Sequence, residues 1–269
     1  MMKIQNPFLK LFKHRDLIVQ FTKRELQMRH KGSKLGHTWA FISPLMMLGL
    51  YFFVFGVVFG GRFGVLPKEN FFDFGLALFL GLTLFNMLAD TISASPSLIL
   101  NQPNFVKKVV FPLEIIPFAQ VCSCLYQTLT SIAIILVLAP FSHGVISWHI
   151  FYLPLLILPL VMIALGISWA LSAIGVFVRD IAHLTAFITT AVMYASAIVY
   201  SPTRIPPAIW VFLKYNPILV IIDLSRSTVL WNTSLNFHDL GYIYFTSTFT
   251  FFAGYFIFYT LRPFFAEVI

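Results

Sequence analysis

The chain has 269 residues, of which 59% are hydrophobic, 17% aromatic and only 10% charged, with a mean hydropathy of +0.86. Soluble domains carry about 25% charged residues; this chain cannot hide so much apolar surface inside itself, which excludes a soluble globular protein and leaves lipid as its solvent. The formal charge of +8 is accounted for by anionic lipid at the cytoplasmic surface rather than by nucleic acid.

Residues 1–38 form a basic region containing Lys3, Lys10, Lys13, Arg15, Lys23, Arg24, Arg29, Lys31 and Lys34, half of all the Lys and Arg. Asn6–Pro7 supplies an N-cap followed by proline at the first helical position. Phe8, Leu11 and Phe12 then share a face, so a short amphipathic helix on the membrane surface is expected. A second helix is predicted from Asp16 to Gly32, with Arg29 in its last turn and Glu25–Arg29 as an i,i+4 pair. Lipid anchoring and docking onto a protein both account for this basic region. No cleavable leader is expected, because the first long apolar run begins only at Trp39.

The remainder, 39–269, reads as one membrane domain. A spanning helix needs about 20 mostly apolar residues, and six segments qualify: 39–59, 74–94, 115–139, 150–178, 184–200 and 240–261. In the second, Asp73 and Asp90 bracket an uncharged stretch of about 24 Å, which sets both carboxylates near the interfaces. Lys and Arg settle the orientation. Beside the N-terminal nine, Lys107, Lys108, Arg179 and Arg262 fall on the same side, against Arg62, Lys68, Arg204, Lys214 and Arg226 on the other. Both termini are therefore expected in the cytoplasm.

Two loops carry further signals. Between Pro103 and Pro112, the basic–apolar segment Asn104, Phe105, Val106, Lys107, Lys108 to Phe111 is either a docking helix for a soluble partner or a turn packed on its own helices. The loop 201–239 repeats the cap-plus-proline signal at Asn216–Pro217. Two short helices, 208–215 and 217–230, are expected there, the second with Asp223 and Arg226 at i,i+3. It is too short to span. A re-entrant or interfacial pair acting as an outer gate fits, and structural packing gives the same pattern.

The spans hold no ionisable group near a centre and the chain has no GxxxxGK[ST] phosphate loop, so it has no evident means of harvesting an ion gradient or ATP. Cys122 and Cys124 point to different sides of a helix and read as packing residues, with no metal set. Aromatic surface is abundant instead. Phe52, Phe55 and Phe59, with Tyr51 nearby, share one face of the first span beside the Gly56–Gly60 GxxxG, and the fifth offers Tyr194 and Tyr200. Such rings can stack on sugars through weak, repeated contacts; most of the 31 Phe simply face lipid or other helices.

Taken in order, Arg24-Glu25-Leu26, Arg29 through Gly36, Trp39 and Pro44-Leu45 resemble the N-terminal signature of permease subunits of ABC-2 type exporters for O-antigen, capsule or teichoic-acid polymers. Asn101, Val106-Lys107-Lys108, Phe111-Pro112, Glu114-Ile115 and Pro117 are similar to a second signature, Arg179-Asp180-Ile181 to a third, and Asn216-Pro217, Ile221-Ile222 and Arg226 to a fourth. Ser196-Ala197 departs from the Ser-Pro of many relatives, so a straighter fifth span is expected. The resemblance implies an all-α, six-span subunit working as a homodimer in the bacterial inner membrane. Two separate cytoplasmic ATPase subunits would bind ATP and Mg, this chain itself holding no cofactor. The cargo implied is a lipid-linked polysaccharide. Arg24, Glu25, Arg29, Asn104–Lys108, Arg179 and Asp180 would couple to the ATPase, and Asn216, Pro217, Asp223 and Arg226 would form the outer gate. A small-lipid or drug exporter is the alternative within the superfamily. A membrane-embedded glycosyl or acyl transferase would want convergent carboxylates or histidines at one interface, whereas the histidines fall on both sides and Glu114 has no evident acid partner.

Overall fold

The computed structural model describes residues 14–29, 32–60, 63–64, 69, 71–107, 111–143, 148–202 and 205–269. Among these the regular structure is helical throughout: α1 (Arg15–Arg29), α2 (Trp39–Tyr51, continuing as a π-helical stretch Phe52–Val58), α3 (Phe71–Ala94), α4 (Pro103–Lys107), α5 (Ile115–Leu138), α6 (Leu153–Phe177), α7 (Ile181–Ala195), α8 (Pro207–Leu213), α9 (Pro217–Val229) and α10 (Phe237–Leu261). The expected surface helix at Asn6–Pro7 lies outside the described residues.

Among the described residues four helical stretches are long and apolar enough to cross a bilayer: Trp39–Val58, Phe72–Ser97, Ile115–Leu138 and His149–Phe177. The paired helices α8 and α9, bent by 96°, meet the same test only together. The two remaining expected spans differ from the sequence reading. Helix α7 has only 15 residues, about 22 Å. Helix α10 has 25, but Tyr, Thr and Ser interleave with its Phe residues and dilute its hydropathy.

Helix α3 is the hub. Its apolar window is 83% inside the protein, against 17% for α2, and α2, α5, α6, α7 and α9 all pack on it. A helix apolar on every side belongs in a core, which explains why the segment with the two bracketing carboxylates is the central one. The tightest crossing is α6 on α10. A Cβ on Gly254 would lie 1.9 Å from the Gly166 carbonyl oxygen, and one on Gly166 would lie 2.2 Å from that of Thr250. In lipid such small-residue contacts replace the hydrophobic effect as the glue between helices. The Gly56–Gly60 pair, by contrast, does not act as a GxxxG, because Gly60 lies past the helix at φ +56.

At one end of the crossing, fully buried Trp169 meets Phe251 and Tyr255 edge-on, both at 5.2 Å, and donates its indole N–H to the Glu114 carbonyl at 3.1 Å. That bond anchors the turn preceding α5.

Candidate functional site

A groove of about 390 Å³ runs between α2, α3 and α5, with the end of α1 at its mouth. Along the otherwise buried α3, Asn86, Asp90 and Ser93 are the exposed residues, and their i, i+4, i+7 spacing makes them one polar stripe. Asn86 and Asp90 line the groove with Thr83, facing Trp39, Ser43 and Tyr51 of α2 and Gln127, Thr128 and Ser131 of α5. Gln127 donates to the Ala40 carbonyl at 3.1 Å, tying α5 to α2. The Asn86 amide, about 5 Å from the midpoint of α3, has no protein partner among the described residues. Inside a bilayer an unpartnered amide costs several kcal/mol, so this groove is built to hold water or a polar cargo.

At the mouth, the Arg29 guanidinium bonds the Asp90 carboxylate at 3.2 Å and the Cys124 sulfur at 3.1 Å. Asp90 on α3 thus takes the place expected for Glu25, and Cys124 does more than pack. With side chains 27% and 50% exposed, the ion pair itself contributes roughly 0–1 kcal/mol; its effect is positional, joining α1 to both groove walls.

The aromatic residues expected along a path separate into different environments. Tyr51 reaches the groove and lies 6.5 Å from Phe79. Phe52 instead stacks on Phe72 at 4.7 Å and fills the notch left by Gly75, where a Cβ would come within 2.2 Å of its ring. Phe52 is therefore a packing residue, because the π-helical stretch changes the angular register of an ordinary helix. Phe55 stacks on Phe59 at 5.8 Å. Phe59 and Tyr194 are largely exposed, and the Tyr200 hydroxyl donates to the Tyr194 carbonyl.

The expected docking elements gather at one end. Phe105 of α4 packs on Phe21 of α1 at 5.5 Å and on Phe111 at 4.8 Å, and Val106 also packs inward. The apolar face of α4 thus packs within the chain, where α1 lies beside it and leaves Phe105 and Val106 half-buried. Asn104 and Lys107 remain exposed; Lys108 lies outside the described residues. Arg24 sits over the Phe21 ring at 5.4 Å, Glu25 is half-buried beside it, and Arg179 and Asp180 form the exposed turn before α7. The C-terminal turn closes this end, with Phe265 against Phe177 and Phe258. Glu114 pairs with Arg262 at 3.1 Å, its side chain only 3% exposed.

At the opposite end of α7 the helix does not run straight. It stops at Ala195, and Ala197 takes φ +47, so the chain breaks there without a proline. A helix end leaves carbonyls unpaired, and α9 supplies their donors. Asn216 caps α9 through Ile218 N–H at 3.0 Å while its amide donates to the Ala195 carbonyl at 3.1 Å. Arg226, 1% exposed, donates to the carbonyls of Ala77 at 2.9 Å, Ala197 at 3.2 Å and Ile198 at 2.6 Å, with Phe63 stacked 4.5 Å away. Gly81 makes room, since a Cβ there would lie 2.3 Å from the guanidinium. Arg226 and Asp223 lie within electrostatic reach of each other but form no direct ion pair: the guanidinium bonds the carbonyls and Asp223 lines a cavity between α8 and α9. Pro217 sets the first turn of α9.

The four signatures therefore map onto a groove mouth, a packed loop, a tight turn and a helix clasp, in chain order. The family model for the ABC-2 type transporter matches residues 16–230. The chain belongs to the ABC-2 type transporter family. Among curated proteins, this ABC-2 chain is 28% identical over 257 residues to an O-antigen export system permease protein of Klebsiella pneumoniae, covering 94% of this chain and 95% of that protein. A Myxococcus xanthus protein of the same description is 27% identical over 71% of this chain and 70% of its own length. A polysialic acid transport protein of Escherichia coli is 24% identical, covering 77% and 78%. Asn86, Gly166, Gly254 and the Glu114–Arg262 pair escaped the sequence reading of this ABC-2 subunit. A lone amide within span two was the available signal for the first.

Proposed function

We propose that this ABC-2 chain is the membrane permease subunit of an exporter of lipid-linked, O-antigen-like polysaccharide, working as a homodimer with two separate ATPase subunits. One observation carries the cargo reading: a groove of amides and hydroxyls flanked by Trp39, Tyr51 and Phe79, with the charges of Arg29 and Asp90 paired to each other at its mouth, chemistry that solvates sugar hydroxyls and stacks on sugar rings. The relatives' descriptions point the same way. The exposed apolar faces of α2 and α7, including Phe41, Leu45, Phe53 and Phe187, suit contact with a second copy and with lipid.

In this reading the chain sits in the inner membrane with both termini in the cytoplasm, and the end bearing α1, α4, Arg179 and Asp180 faces the ATPase. Its movement reaches the groove through Arg29 and Asp90. The α8–α9 pair stands re-entrant at the periplasmic exit. Deleting the gene from its host should leave polysaccharide inside the cell and bare the surface, and the full chain should restore it. Asn86→Leu, which fits lipid better than asparagine, should leave the protein inserted and as heat-stable as before while cutting surface polysaccharide severalfold. Full surface display in the deletion strain refutes the export role.

A further inference from the structure

A second cavity, about 340 Å³, lies in the angle between α8 and α9 and is closed by the first turns of α10. Its walls combine three aromatic rings, Trp210, Tyr215 and Tyr242, with two carboxylates, Asp223 and Asp239, and with Lys214 and His238. The rings are held in place: the Tyr242 hydroxyl donates to the Tyr215 carbonyl at 2.5 Å, the two tyrosines lie 6.4 Å apart, and Lys214 covers the Tyr215 ring at 4.9 Å. Asp239 is committed to its own turn, accepting from Asn236 at 2.9 Å and lying 3.5 Å from the His238 ring nitrogen. Asp223 is different. It is half-buried and receives no hydrogen bond from the described residues; the three hydrogen bonds of Arg226 go to backbone carbonyls.

A desolvated carboxylate with no donor calls for one from outside, and charge-assisted hydrogen bonds are the strong ones. Among the described residues no three metal-ligating groups converge, so the donors are hydroxyls or ammonium groups of an organic ligand. The rings offer flat apolar faces to the C–H side of a pyranose and π-faces to an amino group. Arg226 lies within electrostatic reach of Asp223 but is buried and does not line the cavity, so what an entering sugar meets is Asp223 and Asp239 against Lys214, which repels one that brings its own carboxylate.

We propose that this cavity binds a neutral or amino sugar unit of the exported polymer and discriminates against acidic sugars. The proposal rests on the export reading above and adds to it the class of sugar. Asp223 accepts paired hydroxyls, Trp210 and Tyr242 stack on the ring, and His238 and Asp239 complete the rim.

The full-length protein in lipid nanodiscs, mixed with a mannose oligosaccharide, a glucosamine oligosaccharide or a sialic acid oligomer, provides the test by saturation-transfer NMR. Signal transfer should occur to the first two and not to the third. Trp210→Ala and Asp223→Asn should weaken it about tenfold, equivalent to roughly 1.4 kcal/mol, with unchanged thermal stability. Phe245→Ala, which removes an exposed ring of α10 that does not line the cavity, should bind normally and so separates a local effect from a general loss of aromatic surface. Equal transfer to the sialic acid oligomer, no transfer to the neutral and amino probes, or indifference to Asp223→Asn in a stable protein overturns the proposal. Sugar binding by a chain whose deletion leaves surface polysaccharide intact would instead remove the export role and leave the sugar site standing.

Discussion

At the scale of single residues, the break after α7 is where side-chain chemistry works hardest. Ala197 adopts a left-handed backbone at φ +47, which costs a residue with a Cβ about 1–2 kcal/mol. Ala197→Gly should therefore raise the melting midpoint of the detergent-solubilised protein, by roughly 1 kcal/mol of stability, whereas Ala197→Pro, needing φ near −65°, should lower it. The conformation persists because Asn216 and Arg226 catch the carbonyls it exposes. Arg226→Met strips donors from three buried carbonyls, each worth about 1–3 kcal/mol, and should unfold the protein at markedly lower temperature. Arg226→Lys should rescue little, since an ammonium cannot span three acceptors as a planar guanidinium does. Equal thermal midpoints for Met and native Arg would show that the clasp bears no load.

At the scale of elements, two contacts set the frame. The α6–α10 crossing depends on Gly166 and Gly254, whose backbones nearly touch. Gly254→Val should separate the helices and abolish a monodisperse peak in size-exclusion chromatography. Gly241→Val, on the same helix with no heavy atom within 4 Å of its added Cβ, should be tolerated. The other contact is the Glu114–Arg262 pair. Its buried carboxylate makes the loss of the cation costly, on the order of 3 kcal/mol, so Arg262→Ala should loosen the C-terminal turn and raise proteolysis there. α4 illustrates how an element can be predicted while its use stays open between docking and packing. Its basic–apolar sequence announced a short helix, but a helix with Phe105 and Val106 on one face says nothing about which neighbour covers them. Phe21, distant in sequence, decided that.

At the scale of the whole molecule, α1, α4, the α6–α7 turn and the C-terminal turn form one end face. In the proposed reading a motor acting there would reach the groove through Arg29 and Asp90, while Asn216 and Arg226 tie the far end of α7 to α9. Lys107, exposed on that face, should be a contact with the ATPase. Lys107→Glu is expected to reduce co-purification of the ATPase subunit severalfold without affecting membrane insertion, and undiminished co-purification would remove Lys107 from the docking surface.

The sequence alone determined the membrane as solvent, the helical class, the short helix pair whose second member is opened by Asn216–Pro217, and the family resemblance. The first three follow from composition and from local rules for caps and proline, which act over a few residues, and the resemblance from four motifs in order along the chain. Tertiary structure alone decided which helix became the hub, that Phe52 packs while Tyr51 lines a groove, that Gly166 meets Gly254, and that Arg226 serves backbone carbonyls rather than Asp223. Each joins residues far apart in the chain, or depends on the angle at which two helices meet, and neither quantity is written in the spacing of neighbouring side chains.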